Sequence, residues 1–408
     1  VTETSETAET SARGMTADGL ALTASAAVTA AAGMIGWVLA ARLLPPAEVG
    51  DTSAFVSGFL LVAGIAELGL GPAVLRWLPR AGHHRRRLLG RGYLAVLAGS
   101  LVASAAFVLV PAGADVVHRV PAGLALFLPA AVGWTLFQFQ DFVLTGLGKA
   151  RWVPVENGVF SALRLALLGA LAPALGALGL VLSWVVPTVL GVLVVTVLVY
   201  RRARSGQAAV GMLPDRREVV RLLAPAYPAM LCVVVLYNVV PLIVLHRFGS
   251  AANAVFFVVW TAINALDVAA TSFVNPLVVR LSTEPGQARA LVTKAAGRLV
   301  LVFAPVLLAG GLLAGVLLTI FGPDYTQGAD LLRILLAAQL PRLVVIVGVA
   351  VHLAAGRGLG VALPQAATAA AAIGLASLMP SEFAFGVGMF VTQAVLAVIV
   401  LLHLRGRA

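Results

Sequence analysis

The chain has 408 residues, 61% of them hydrophobic and only 11% charged. A soluble protein of this length needs a polar skin that such a composition does not supply, so a large water-soluble core is excluded. The net charge of +11 points toward nucleic acid only until the positions of the basic residues are considered; they account for it without a nucleic-acid partner.

Repeated apolar runs of about 20 residues predict a polytopic helical membrane protein. Strand alternation is missing, which argues against a membrane barrel. The single cysteine, Cys232, lies in an apolar run, so no intrachain disulfide and no thiolate metal cluster is expected. His83 and His84 sit together in a basic loop and are read as solvated rather than as a metal site.

In chain order, residues 1–19 are polar, with Glu3, Glu6 and Glu9, and are expected to form a disordered cytoplasmic tail without a signal peptide. Twelve spans follow at roughly 20–43, 52–76, 92–111, 122–146, 156–175, 177–200, 222–245, 251–277, 296–320, 328–353, 359–379 and 383–403. The expected organisation is an N-terminal six-helix lobe (20–200), a basic cytoplasmic linker (201–221) and a C-terminal six-helix lobe (222–408). The seventh span carries Pro225, Pro228 and Pro241 and the ninth Pro305. Proline kinks a helix, either for packing or to let it bend in a conformational change, so kinks are expected in the seventh and ninth spans.

Orientation follows from Lys and Arg. With the N-terminus in the cytoplasm, the inner loops hold the clusters from Arg76 to Arg91, from Arg201 to Arg221 and from Arg280 to Arg298, together with Lys149, Arg151, Arg357, Arg405 and Arg407. The outer side keeps Arg42, Arg119, Arg247 and Arg333, and two remain well inside spans, away from their ends: Arg164 and Arg342. Both termini are therefore expected in the cytoplasm, in a multi-pass protein of the cell membrane whose basic loops touch anionic lipid heads.

An internal repeat is visible. Shifted by 204 residues, Ala47 falls on Ala251, Pro72 on Pro276, Arg76 on Arg280 and Gly82 on Gly286, with GPAVLR over NPLVVR. A shift of 208 lays Gly148–Lys149 over Gly356–Arg357. Six spans per repeat is an even number, so the halves are expected to be parallel repeats around an axis along the membrane normal. The predicted fold class is an all-α integral membrane protein with about 12 transmembrane helices in two pseudo-symmetric six-helix lobes around a central cavity.

Polar residues inside the spans mark the candidate site. At about 100° per residue, Asn264, Asp267, Thr271 and Asn275 fall within an arc of about 80° on the eighth span. The second span shows a similar face with Ser53, Ser57, Gly64, Glu67 and Gly71; the fourth adds Gln138, Asp141 and Thr145, the fifth Asn157, Ser161 and Arg164, and the tenth Gln339 and Arg342. A charge facing lipid costs roughly 3 kcal/mol, so these stripes are expected to line a hydrated cavity; the alternative is that they only tie helices together. Arg164 also lies about 12 Å along its helix from Glu156, part of which a long side chain spans by snorkelling.

Arginine offers a fork of donors suited to phosphate oxygens, which makes Arg164 and Arg342 candidate ligands for an anionic head group. Carboxylates in a low-dielectric site can carry a proton or coordinate sodium, so Glu67, Asp141 and Asp267 are candidates for ion coupling. No cofactor is expected beyond such a coupling proton or sodium ion. GxGxxG before a suitable helix, a P-loop and HExxH are all missing, and the outer loops are short and nearly uncharged. An enzyme is therefore not expected.

Three segments carry a resemblance to a known family. ARLLPPAEVG (41–50) resembles "RLLGPxxFG", ELGLGPAVLRWLP (67–79) resembles "DLGLGxxLVRF", and FGPDYTQGADLLRIL (321–335) resembles "FGxxY…A…LLRIL". These are patterns of the polysaccharide (oligosaccharide-lipid) branch of the multidrug/oligosaccharidyl-lipid/polysaccharide flippase superfamily. The resemblance implies two six-helix lobes in a V, and flipping of an undecaprenyl-pyrophosphate-linked glycan by alternating access, with cavity arginines on the pyrophosphate. It also implies glycan polymerases or glycosyltransferases as partners. Pro45 and Val49 depart from the usual Gly and aromatic. Twelve spans rather than fourteen also set the chain apart from the lipid II flippase branch. The alternatives are a cation-coupled multidrug antiporter of the same superfamily and a membrane glycan-transferring enzyme. A cationic drug calls for a net acidic pocket, whereas a pyrophosphate calls for an unpaired arginine.

Overall fold

A computed structural model describes residues 29–67, 69–202, 211–224, 227–283 and 285–405. The expected tail, residues 20–28 of the first span, residues 203–210 of the linker and Pro225 lie outside the described residues. The helices are α1 (Thr29–Leu43), α2 (Pro46–Ala66), α3 (Leu70–Trp77), α4 (Arg85–Leu109), α5 (Pro111–His118), α6 (Gly123–Gly146), α7 (Trp152–Leu175), α8 (Ala177–Arg202), α9 (Arg216–Leu223), α10 (Tyr227–Phe248), α11 (Ser250–Thr283), α12 (Ala288–Leu312), α13 (Ala314–Thr319), α14 (Ala329–Ala354), α15 (Gly358–Leu378) and α16 (Glu382–Arg405). Eleven are long and apolar enough to cross a membrane, and α1 is a shorter apolar helix. No strand occurs among the described residues. In hydrocarbon every backbone donor and acceptor must be satisfied within its own segment, which is why apolar runs of this length become helices.

The second span is not continuous as expected. α2 stops at Ala66, the chain turns through Glu67 and Gly69, and α3 starts at Leu70. Gly69 sits at φ 66°, ψ 17°, a left-handed conformation that costs glycine little and other residues more. Its repeat counterpart α11 runs 34 residues unbroken, about 51 Å. The third and ninth spans also end early, and each restarts as a short helix: α4 gives way to α5 and α12 to α13. At the first of these breaks Val110 is extended (ψ 129°) ahead of Pro111, as sterics before proline require.

The repeat is legible in one matched pair of helix ends. α6 ends with Gly148 at φ 71° and α14 with Gly356 at φ 68°. Gly148 N–H donates to Thr145 O (2.9 Å) and Lys149 N–H to Leu144 O (2.8 Å); Gly356 N–H donates to Leu353 O (3.0 Å) and Arg357 N–H to His352 O (2.9 Å). Each bond in one half has its partner 208 residues on. A left-handed glycine with the following N–H reaching back five residues is a Schellman-type stop.

Packing divides the chain into two units: the part up to Leu43 with Val62–Leu223, and Leu44–Leu61 with Ala224 onward. In the first, α8 packs on α6 and α7, and α6 on α3 and α4. Val74, Leu78, Leu89, Val96, Phe139, Val143, Leu144, Val153, Val195 and Val199 form its core. In the second, α14 packs on α11, α12 and α16, and α15 on α10. Arg247, at the end of α10, donates to Ala376 O (3.0 Å) and Met379 O (2.7 Å), carbonyls left open where α15 ends.

The start of α2 belongs to the second unit because it is fastened to α11. Ser250 Oγ donates to Asp51 (2.6 Å), and Asn253 Nδ2 donates to Gly50 O (2.9 Å) and approaches Ser53 Oγ (3.2 Å). A Cβ on Gly50 would lie 1.7 Å from the Ser250 carbonyl oxygen. Gly50→Ala therefore has to push two helix backbones apart. It should cost about 1–3 kcal/mol, read as a lower unfolding temperature in detergent; an unchanged temperature would refute the close approach.

Candidate functional site

Some of the polar residues singled out from sequence gather in three centres. The first is in the second unit. Arg342 on α14 and Asp267 on α11 form a buried, two-pronged ion pair: Nε donates to Oδ1 (3.0 Å) and Nη2 to Oδ2 (2.9 Å). Arg342 is 4% exposed and Asp267 6%. Nη2 also donates to Gln365 Oε1 (3.0 Å) on α15, and Tyr237 Oη on α10 donates to Asp267 Oδ2 (2.9 Å). Four helices thus meet on one carboxylate–guanidinium pair. Gln339, Thr368 and Gln393 line the void beside it, whose volume is about 20 Å³. That is room for about one water molecule, not for a sugar or a diphosphate. Arg342 Nη1 is buried and makes no hydrogen bond.

The second centre is Arg164 on α7, in the first unit. It is 4% exposed and has no carboxylate partner among the described residues. Its guanidinium lies 3.8 Å from the Trp184 ring centroid and 6.0 Å from that of Trp37. Nε and Nη2 are buried with no hydrogen-bond partner. A cation on an indole face is attracted by the ring quadrupole, but the donors of the fork stay unused. Glu156 does not satisfy them: both its carboxylate oxygens are themselves buried without a hydrogen bond. Gly36 makes room for the head group, since a Cβ there would meet Arg164 Nη2 at 3.0 Å. Trp134, Phe137 and Phe160 extend the aromatic wall around Trp184.

The third centre is acidic. Asp141 on α6 accepts a long hydrogen bond from Asn157 Nδ2 (3.4 Å) on α7. Asp141 Oδ1 and both oxygens of Glu156 are buried and unpartnered. Thr145 Oγ1 donates to the Asp141 backbone carbonyl (2.7 Å).

The remaining residues are dispersed. Glu67, 8% exposed, sits in the break between α2 and α3 with Oε1 buried and unpartnered, against Gly71. Gln138 and Asn264 are half-buried, whereas Thr271 and Asn275 are exposed on α11. Of the arc on the eighth span, only Asp267 enters the ion-pair centre. Among the described residues no group of His, Cys, Asp or Glu is arranged to hold a metal ion.

Sequence reading missed Tyr237, Gln365, Thr368 and Gln393, and also Gln140, which is fully buried and donates to Val192 O (3.1 Å) and Thr196 Oγ1 (2.9 Å). Gln365 and Gln393 gave a signal, each being the one amide in its apolar run, whereas Gln140 stands beside Gln138 and Asp141 and was passed over for them. The indoles that receive Arg164 gave none, because tryptophan in a membrane helix is ordinarily read as packing or interface.

An inward-facing structure of a MATE family multidrug resistance transporter of the MOP superfamily matches 93% of this chain and 94% of its own, with TM-score 0.70 and 15% identity. Lipid II flippase MurJ in an inward closed conformation matches 94% of this chain and 87% of its own, with TM-score 0.70 and 10% identity. A Vibrio cholerae MATE transporter matches 94% and 92%, with TM-score 0.55 and 16% identity. No curated protein matches the sequence. At these identities the likeness bears on the fold, which is that of MATE transporters and MurJ. The family model described as polysaccharide biosynthesis protein covers residues 15–282, well over half of the chain, and the chain therefore belongs to that family.

Proposed function

We propose that the protein is an alternating-access transporter that flips a polyprenyl-pyrophosphate-linked oligosaccharide across the cytoplasmic membrane for cell-surface polysaccharide synthesis, without itself catalysing glycan transfer. The observation that carries this reading is the buried Arg164, a planar fork with unused donors and no carboxylate beside it. Diphosphate oxygens fit such a fork. Arg342 is the lesser candidate, because Asp267 and Gln365 already take its Nε and Nη2. The family membership supports the substrate class. The excess of Lys and Arg in the loops assigned to the cytoplasm supports cytoplasmic termini.

The carboxylates of Asp141 and Glu156, three of whose four oxygens are buried without a hydrogen bond, fit the coupling ion, a proton or sodium. They also favour the second reading, a cation-coupled multidrug antiporter, since an acidic pocket suits a cationic drug. Deleting the gene and identifying what builds up separates the two. Accumulation of a lipid-linked oligosaccharide in the inner leaflet, with loss of surface glycan, is the expected result. Unchanged surface glycan together with raised drug sensitivity would overturn it in favour of the antiporter.

A further inference from the structure

Outside these centres, the first unit carries a basic pocket at its loop end. Its walls are Arg76 and Trp77 from the end of α3, Arg80 from the turn after it, Met212–Pro214 from the linker, and Glu218 and Arg221 from α9. Its volume is about 600 Å³, within the range of small-molecule sites. All three arginines are exposed, and among the described residues the only carboxylate in the wall is Glu218, which accepts from Asp215 N–H (3.3 Å) at the start of α9.

The pocket is built rather than incidental. Met212 N–H donates to Arg80 O (3.2 Å), and Gly211 lies so close to the turn that a Cβ would sit 2.1 Å from the Ala81 carbonyl oxygen. The linker is thus docked onto the segment that carries two of the arginines, and α9 supplies the third. Arg76 also lies over the Trp77 ring, 5.9 Å from its centroid.

We propose that this pocket binds the phosphate or diphosphate group of a membrane lipid where it meets the cytoplasmic surface, and so captures the head group before it crosses. Three exposed arginines around a ligand-sized space match a multiply charged phosphate by charge and by the fork of donors each carries. The lipid is favoured over a soluble phosphate because Arg76 and Trp77 close α3, the short helix that follows directly on the apolar span α2. Calling the lipid a transport substrate rests on the function proposed above; the binding does not.

The test uses the full chain in nanodiscs of neutral lipid, with inorganic diphosphate and undecaprenyl diphosphate as separate probes in calorimetric titrations. The parent should bind both, the lipid more tightly, and binding should weaken with salt. Arg76→Gln, Arg80→Gln and Arg221→Gln should each weaken it about 5-fold, and the triple variant about 100-fold. Glu218→Gln keeps the acceptor for Asp215 and removes the opposing charge, so it should tighten binding. Gly211→Ala removes no charge yet should weaken binding by lifting the linker. Parent-like binding by a monodisperse triple variant, or no binding of either probe by the parent, would overturn the proposal. Binding of inorganic diphosphate with none of the lipid would overturn its assignment to a membrane lipid. If the chain binds through these arginines but flips no lipid, the function proposed above falls and the pocket stands.

Discussion

Asp267→Ala should be the most damaging single substitution in the second unit, costing about 3–5 kcal/mol. It leaves a buried guanidinium without its carboxylate and frees the Tyr237 hydroxyl at the same time. Both bonds from Arg342 to Asp267, at 3.0 and 2.9 Å, are lost together, and the charge that remains is 4% exposed. Asp267→Asn should be milder, because an amide oxygen still accepts from Tyr237 and one arm of the fork. The paired change Asp267→Leu with Arg342→Met removes both charges and should recover most of the loss, since replacing a buried pair by apolar groups is often close to neutral. Thermal unfolding in detergent, with the monodisperse fraction, reads all three. If Asp267→Ala unfolds like the parent, the pair does not hold the unit together.

Arg164→Gln should have the opposite profile: transport falls at least about 10-fold while stability stays within about 1 kcal/mol. No hydrogen bond from Nε or Nη2 is lost, because none is made. Loss of the contact with Trp184 is offset by relief of an unpaired buried charge. Arg164→Lys keeps the charge without the planar fork and should restore only part of the rate. A variant that loses folding and transport in proportion would show that Arg164 is structural.

The contrast between the two arginines was not legible in the sequence. Each appeared as a lone cation inside a span, and their difference depends on which helix lies across from them. Asp267 is 75 residues from Arg342 in sequence, and the pairing exists because α11 and α14 pack together. Trp184 reaches Arg164 from α8, with no spacing rule to announce it. What was legible is what one helix or one short motif determines. The spans followed from the apolar runs, and all but the first, whose start lies outside the described residues, agree with the observed helices apart from their ends and breaks. The repeat shows in the Schellman stops of Gly148 and Gly356.

The break at Glu67 was missed because an apolar helical run continued through it, although the left-handed Gly69 stood in plain view. The family motifs mark architecture rather than substrate. Gly50 allows the close approach to Ser250, Gly69 breaks the second span, and Tyr325 is buried at 1% exposure. This is why they identified the fold without naming what is carried.

The most direct test of the account is the rate at which proteoliposomes flip an undecaprenyl-diphosphate-linked oligosaccharide, measured per folded molecule. The comparison is between Arg164→Gln and the paired change Asp267→Leu with Arg342→Met. The first should lose flipping and the second keep most of it, because one guanidinium is unspent and the other is committed to its own unit. Flipping at the parent rate by Arg164→Gln, with none by the folded double variant, would contradict the account.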